Sequence, residues 1–316
     1  MLDISNPVFH NETKARAYLE SLRWADGRFC PHCGEAERTS PAKAKGRAGL
    51  YVCLSCKKQF TVRVGTIFER SHIPLHKWIA GFYLLASSKK GFSAHQLHRT
   101  LGITYKSAWF MAHRIREAMR EIKPAPVGGK NKVVEADETY VGGKAKNRAF
   151  GPPPKKETVF ALVEREGKVH SFHVPAVNAK TLRPILVTHA DRDSYLMTDE
   201  AGAYVRVGRE YSGHGTVNHS INEYVRGGFW YTNTVENYFS ILKRGITGVY
   251  QHVSQQHLKR YLGEFDFRYN ERIGLGISDT ERTERAIKGA EGKRLTYQQP
   301  RIQRQGNVIQ FPPPHL

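Results

Sequence analysis

The sequence predicts an α/β protein whose mixed sheet and helices follow a separate amino-terminal half. Three observations carry that expectation. From residue 132 to about 275, strand signals of period two alternate with amphipathic helix signals. The half before it reads as helices and holds 22 Lys and Arg against 9 Asp and Glu in residues 1–130, a net +13 of the chain's +20. All four cysteines of the 316 residues fall in one pattern near the amino terminus. The expected divisions are a helical lead-in (1–27), a cysteine ribbon (28–70), a helical module (71–123), a linker (124–131), the α/β domain (132–275) and a tail (276–316), partly disordered.

Bulk composition narrows the class. Hydrophobic residues at 40% and aromatics at 11% allow real cores, and a charge of +20 points to a polyanionic partner such as nucleic acid. No run of 18 apolar residues is present and the first twenty residues carry acids without an apolar signal core, so a cytoplasmic, nucleoid-associated protein is expected.

In chain order, residues 10–23 carry Ala17, Tyr18, Leu19 and Leu22 among charges, an amphipathic helix. Cys30-Pro-His-Cys33 and Cys53-Leu-Ser-Cys56 then form C-x2-C-x19-C-x2-C. Two knuckles of two thiolates complete one tetrahedron with no open position, so Cys30, Cys33, Cys53 and Cys56 are read as ligands of a structural Zn²⁺, with His32 a bystander. Disulfides are the competing reading, and a reducing compartment disfavours them.

Residues 74–122 read as helices. Leu75, Trp78, Ile79, Phe82 and Leu85 make one apolar stripe; Ser93 with Gln96 starts a short helix that ends at Gly102; a longer one follows Thr104 and buries Ala108, Ala112, Ile115, Met119 and Ile122. Short helix, Gly-containing turn and longer helix make a helix-turn-helix, with Tyr105, Lys106, Trp109, His113 and Arg116 facing outward towards DNA. A plain three-helix bundle fits the same periodicity.

After the Pro124-Ala-Pro-Val-Gly-Gly linker comes Lys132–Lys144, KVVEADETYVGGK, read as a strand. Period two puts Glu135, Asp137 and Thr139 on one face and Val134, Ala136, Glu138 and Tyr140 on the other. Unpaired buried carboxylates are costly, so three acids in four residues of a central strand need a reason. A salt-bridged edge strand is the bland one; a divalent-metal site for phosphodiester chemistry is the other. Two more strands complete a meander, Thr158–Glu164 and Lys168–Val174, followed by a helix around Lys180–Ala190. Ser194–Glu200 is a buried strand carrying Asp199 at its carboxyl end, where open α/β sheets bind ligands. A strand near Thr216–Tyr224 and a Gly227-Gly228 turn lead to Thr232–Arg244. That helix buries Val235, Tyr238, Phe239 and Leu242 and sets Asn233, Glu236, Ser240 and Lys243 opposite. In the last helix, Gln256–Arg272, Glu264 and Arg268 form an i,i+4 pair.

The ordered set of cysteine ribbon, helix-turn-helix, VEADETYVGGK, YLMTDEA, TNTVENYFSILKRG and HLKRYLGEFDFRYNER resembles the bacterial insertion-sequence transposases of the DDE superfamily, in the zinc-ribbon-bearing ISXO-like group. The resemblance runs from about Ala15 to Arg272. It implies a ribonuclease-H-like catalytic domain in which Asp137 and Asp199 are the first two metal ligands, Glu236 the third and Lys243 the basic residue following it. Some relatives carry Asn at the third position, so Asn233, one turn away, stays as the alternative. The implied cofactors are Mg²⁺ or Mn²⁺ besides structural zinc. The implied partners are transposon ends and target DNA, bound by a homo-oligomer on paired ends. The activity implied is end binding, 3′-end cleavage and strand transfer. Acids and spacing alone license a metal-dependent nuclease or resolvase, or a DNA-binding regulator without catalysis.

Overall fold

The computed structural model of the chain describes residues 3–42, 48–142, 156–199, 202–217 and 232–296. Helix α1 (Glu12–Arg23) is capped by the Asn11 side chain and buries Ala15 and Leu19, one turn apart. Strands β1 (Thr39–Pro41), β2 (Tyr51–Cys53) and β3 (Gln59–Phe60) form a small antiparallel sheet in that order. Helix α2 (Leu75–Ser87) buries the whole expected stripe. Ser93 caps α3 (Ala94–Leu101) by accepting from the Gln96 N–H, and Gly102 ends it with φ +57°, the left-handed conformation glycine adopts most freely. Thr104 then caps α4 (Tyr105–Met119).

The second half begins with the meander β4 (Val133–Val141), β5 (Glu157–Glu164) and β6 (Val169–Val174). Helix α5 (Ala179–His189), strand β7 (Tyr195–Asp199), the short α6 (Val205–Gly208) and strand β8 (Gly213–Val217) follow. Helices α7 (Asn233–Gly245), α8 (Gln255–Asn270) and α9 (Asp279–Lys288) complete the described chain. The sheet order is β6-β5-β4-β7-β8, antiparallel through the meander, with β7 parallel to β4 and β8 parallel to β7. That mixed five-stranded order is the ribonuclease-H-like arrangement. One face packs Val134, Ala136, Phe160, Leu162 and Leu196 against Leu182 and Leu186 of α5. The other packs Val159, Ala161 and Val163 under Val235, Tyr238 and Leu242 of α7 and Leu258, Leu262 and Phe265 of α8. Each such buried aliphatic or aromatic side chain contributes about 1.5–3 kcal/mol, which seats α7 and α8 on the face that carries Asp137.

The structure adds one element that was not expected and corrects one expectation. Residues 279–288 of the tail are a helix with a full capping box, Ser278 with Glu281. Helix α9 buries Ala286 and Ile287 in the amino-terminal core, while Arg282 donates to the Ala86 carbonyl (3.2 Å) and Tyr18 donates to Glu284 (3.0 Å). The chain therefore returns from the α/β domain to close the core it began with.

The correction concerns α4. His113 and Arg116 do not face outward; they are 1% and 2% exposed. The α8 helix lies along them: Arg116 Nε donates to Glu264 (2.5 Å), and Glu264 also accepts from Tyr250 Oη (2.5 Å) and from Arg268. His113 sits between Trp109 (4.2 Å) and His257 (4.7 Å), centroid to centroid. A helix periodicity cannot reveal a second buried face whose partner lies 148 residues away. The expected i,i+4 pair Glu264–Arg268 is accordingly a buried one. Ile122, expected inside, is 66% exposed because α4 ends at Met119.

Several readings lie outside the described residues: most of the basic stretch between the knuckles (43–47), the proline-rich loop up to residue 155, the strand beyond Val217 with the Gly227-Gly228 turn, and the tail from residue 297.

Candidate active site

The amino-terminal metal site is built by two matching knuckles. In one, the Gly34 N–H returns to the Cys30 carbonyl (2.9 Å); in the other, the Lys57 N–H returns to that of Cys53 (2.9 Å). Gly34 and Lys57 both take left-handed φ, +80° and +60°, which turns each chain back beneath its thiols. The sulfurs of Cys30 and Cys56 are 3.7 Å apart and those of Cys33 and Cys53 3.6 Å. A tetrahedron with Zn–S near 2.3 Å has edges of about 3.8 Å, so the cage fits zinc. All four donor atoms lie within 4.8 Å of one another, the one such group of three or more among the described residues. The Cys56 backbone N–H on its sulfur (3.5 Å) is the first cause drawing the Cys53 thiol down to about 7, towards the thiolate a metal needs. His32 stands outside the cage, beside the Gln59 carbonyl, as a bystander should.

Sheet register points two of the predicted carboxylates the same way, although Asp137, Asp199 and Glu236 do not close into a group with donor atoms within 4.8 Å of one another. Val133, Val134 and Glu135 of β4 sit opposite Tyr195, Leu196 and Met197 of β7 in parallel pairing. The pairing ends there; the same offset carried two residues on aligns Asp137 with Asp199 along the two strands. Both lie on the α7 side, because their alternating neighbours Ala136 and Leu196 point into the opposite core. Burial, then the charges of Glu138, Asp199 and Glu236, push the Asp137 carboxyl up to about 7. Three acids thus act on Asp137 through their charge: Glu138 beside it on β4, Asp199 from β7 and Glu236 from the first turn of α7. Carboxylate oxygens are the donors that a hard divalent cation such as Mg²⁺ or Mn²⁺ takes.

Glu236 and Asn233 are both exposed on the first turn of α7, and Lys243 is exposed in its last turn. Seven residues of helix place Lys243 about 10 Å along the axis from Glu236, beyond reach of the same ion. Tyr105 and Lys106 are exposed at the start of α4, and Trp109 is half-buried against His113 and His257.

Sequence reasoning left two roles unassigned. Glu138 points away from Asp137 and accepts from the Tyr204 hydroxyl (2.5 Å); burial first and Asp199 after raise its pKa. Glu135 is wholly buried and engaged by Arg165 and by the start of α7. Its face was legible from alternation; its partners, 30 and 99 residues away, were not.

Fold and sites together define a class: a ribonuclease-H-like domain with acids gathered on its central strands, tied to a four-thiolate ribbon. Residues 128–270 match the ISXO2-like transposase domain and residues 10–59 the transposase zinc-ribbon domain, and the chain belongs to this transposase family. It is 28% identical over 283 residues to a Halobacterium salinarum protein described as an uncharacterized protein in transposable element ISH50, covering 83% of this chain and 92% of that one. Among solved structures, the Mos1 transposase paired-end complex with left transposon end matches 66% of this chain and 74% of that chain at 14% identity, with a TM-score of 0.29.

Proposed function

We propose that this protein is a DNA transposase that binds the ends of its insertion sequence and catalyses 3′-end cleavage and strand transfer into target DNA. What supports the reading is the parallel register of β4 and β7, which points Asp137 and Asp199 to the same side of adjacent strands, and the position of Glu236 on the first turn of α7, where its charge is felt by Asp137. Asp137, Asp199 and Glu236 hold Mg²⁺ or Mn²⁺ through carboxylate oxygens. Such ions supply activation of the attacking oxygen and stabilisation of the leaving one in an in-line displacement at phosphorus. Lys243 meets a flanking phosphate as a mobile point charge. Asn233, on the same helical turn as Glu236, takes a phosphate contact or the third ligand position. The amino-terminal half binds DNA through its positive charge, with Tyr105, Lys106 and the half-exposed Trp109 at the leading end of α4 as readers; His113 and Arg116 are removed from that role by their burial. Synapsis of two ends calls for a homo-oligomer.

The test is a cleavage and joining assay on oligonucleotides carrying an element end, with Mg²⁺. Asp137→Asn, Asp199→Asn and Glu236→Gln should each fold, bind DNA and lose both steps by about a hundredfold or more. Asn233→Ala should cost less. Full activity in Glu236→Gln with none in Asn233→Ala transfers the third position to the amide, and cleavage without joining makes the protein a nuclease instead.

A further inference from the structure

Glu135 has the least exposed carboxylate on the β4 face that carries Asp137, at 0%. A buried acid needs a full set of partners to be tolerated, and this one has it. Arg165 Nε donates to Oε1 at 2.7 Å and Thr234 Oγ1 to the same oxygen at 2.9 Å, while the backbone N–H groups of Thr234 and Val235 donate to Oε2 at 2.8 and 3.0 Å. With four donors on two oxygens, Glu135 has no lone pair left for a metal.

Two of those donors are the opening N–H groups of α7, which have no acceptor within their own helix. Helices commonly satisfy them with the residue at the cap position, yet Thr232 at that position makes no side-chain cap. Its hydroxyl faces Glu236 instead (3.4 Å). The cap of α7 is thus supplied from another element, a strand 99 residues earlier in the chain. A leucine at 135 would bury as much surface; a carboxylate also fixes where along its axis, and at what rotation, α7 begins. The positive end of the helix dipole and the Arg165 guanidinium balance its charge. One residue beyond the capped pair is Glu236, and two residues beyond Glu135 is Asp137.

We propose that Glu135 is the positioning residue of the carboxylate site, clamping the first turn of α7 to β4 so that Glu236 is delivered to Asp137 and Asp199. The inference rests on the reading that those three acids hold the divalent metal. It makes one chain of contacts responsible for the spacing between a strand acid and a helix acid, and it assigns Arg165 and Thr234 to the same task.

Binding of Mn²⁺ alone, followed by the electron paramagnetic resonance signal of the free ion, tests this on the full-length, zinc-loaded protein without DNA. Glu135→Gln should keep its circular dichroism spectrum and weaken Mn²⁺ binding about tenfold, the scale typical of groups that orient metal ligands. Thr234→Val, which removes one hydroxyl donor and leaves no bare charge, should weaken it about threefold. In a Glu236→Gln background, Glu135→Gln should add no further loss, because its effect passes through Glu236. Wild-type affinity in Glu135→Gln, or an equal tenfold loss in both backgrounds, overturns the proposal. Should Glu135→Gln not fold, Thr234→Val decides: a threefold loss supports the clamp and no change overturns it. Asp137→Asn is the control for the underlying reading. Unchanged Mn²⁺ binding there removes the metal site itself, and is recognisable because no variant of the set would then respond.

Discussion

Replacing Asp137 by asparagine should make the metal-free protein more stable at alkaline pH, and the sign follows from the site. The Asp137 carboxyl is pushed up to about 7 from 3.8, first by burial and then by Glu138, Asp199 and Glu236. A carboxyl whose folded pKa lies above its unfolded one favours folding while protonated. Its contribution is fully present below about pH 4, falls as pH rises and is exhausted above about pH 7. For one isolated group with that shift, the loss between pH 5 and pH 8 would be at most about 2.6 kcal/mol. Asp137 keeps part of its surface in water, and counter-ions screen its neighbours, which brings the expected figure to about 1–2 kcal/mol. Asparagine carries no charge and escapes the penalty. Urea unfolding in EDTA, at pH 5 and pH 8, should therefore give a stability difference between variant and wild type that opens by about 1–2 kcal/mol in favour of the variant. Adding Mg²⁺ at pH 8 should stabilise the wild type and leave Asp137→Asn largely unmoved. A variant that is less stable than wild type at pH 8 without metal, or a difference flat in pH, would refute the account of mutually strained carboxylates.

Other outcomes follow from the remaining sites. Metal analysis should find about one zinc per chain, since the four thiols form one tetrahedral cage; Cys30→Ser/Cys33→Ser should lose it and unfold the ribbon around residues 28–62, and full zinc retention would remove the assignment. Glu264→Ala should cost about 3–5 kcal/mol in urea unfolding, because it strands Arg116 and Arg268 as buried charges without a partner; a cost below about 1 kcal/mol would mean the pair is hydrated. Replacing Tyr105 and Lys106 together should lower preference for element ends in gel-shift competition without lowering the melting temperature, whereas Arg116→Ala should lower the melting temperature. The reverse pattern would place the reading surface elsewhere.

Much of the fold was legible in local pattern. The buried stripes of α2 and α7, the Ser93 and Thr104 caps, the Gly102 stop and the three-stranded meander are all decided by residues within a turn or a strand of one another. Such signals survive in the sequence because the physics behind them is short-ranged. The cysteine cage was legible for a different reason: thiolates have few other uses at that spacing. Glu135 and Asp137 could be assigned to one face by alternation alone, but alternation treats them as equals. Their roles diverge only when α7 arrives, handing two N–H groups to Glu135 and an acid to Asp137.

Alone, the sequence determined most of the helices and strands between residues 74 and 272, the apolar face of most of them, and that four thiols form a closed set. The tertiary structure alone decided which polar faces are covered. The outward-looking half of α4 is buried because α8 lies on it, and the capping-box helix α9 belongs to the amino-terminal core because the chain doubles back. Periodicity records one buried face per element. A second face built from Arg, His and Glu carries no hydrophobic mark, since its burial is made tolerable by partners 148 residues distant in the chain.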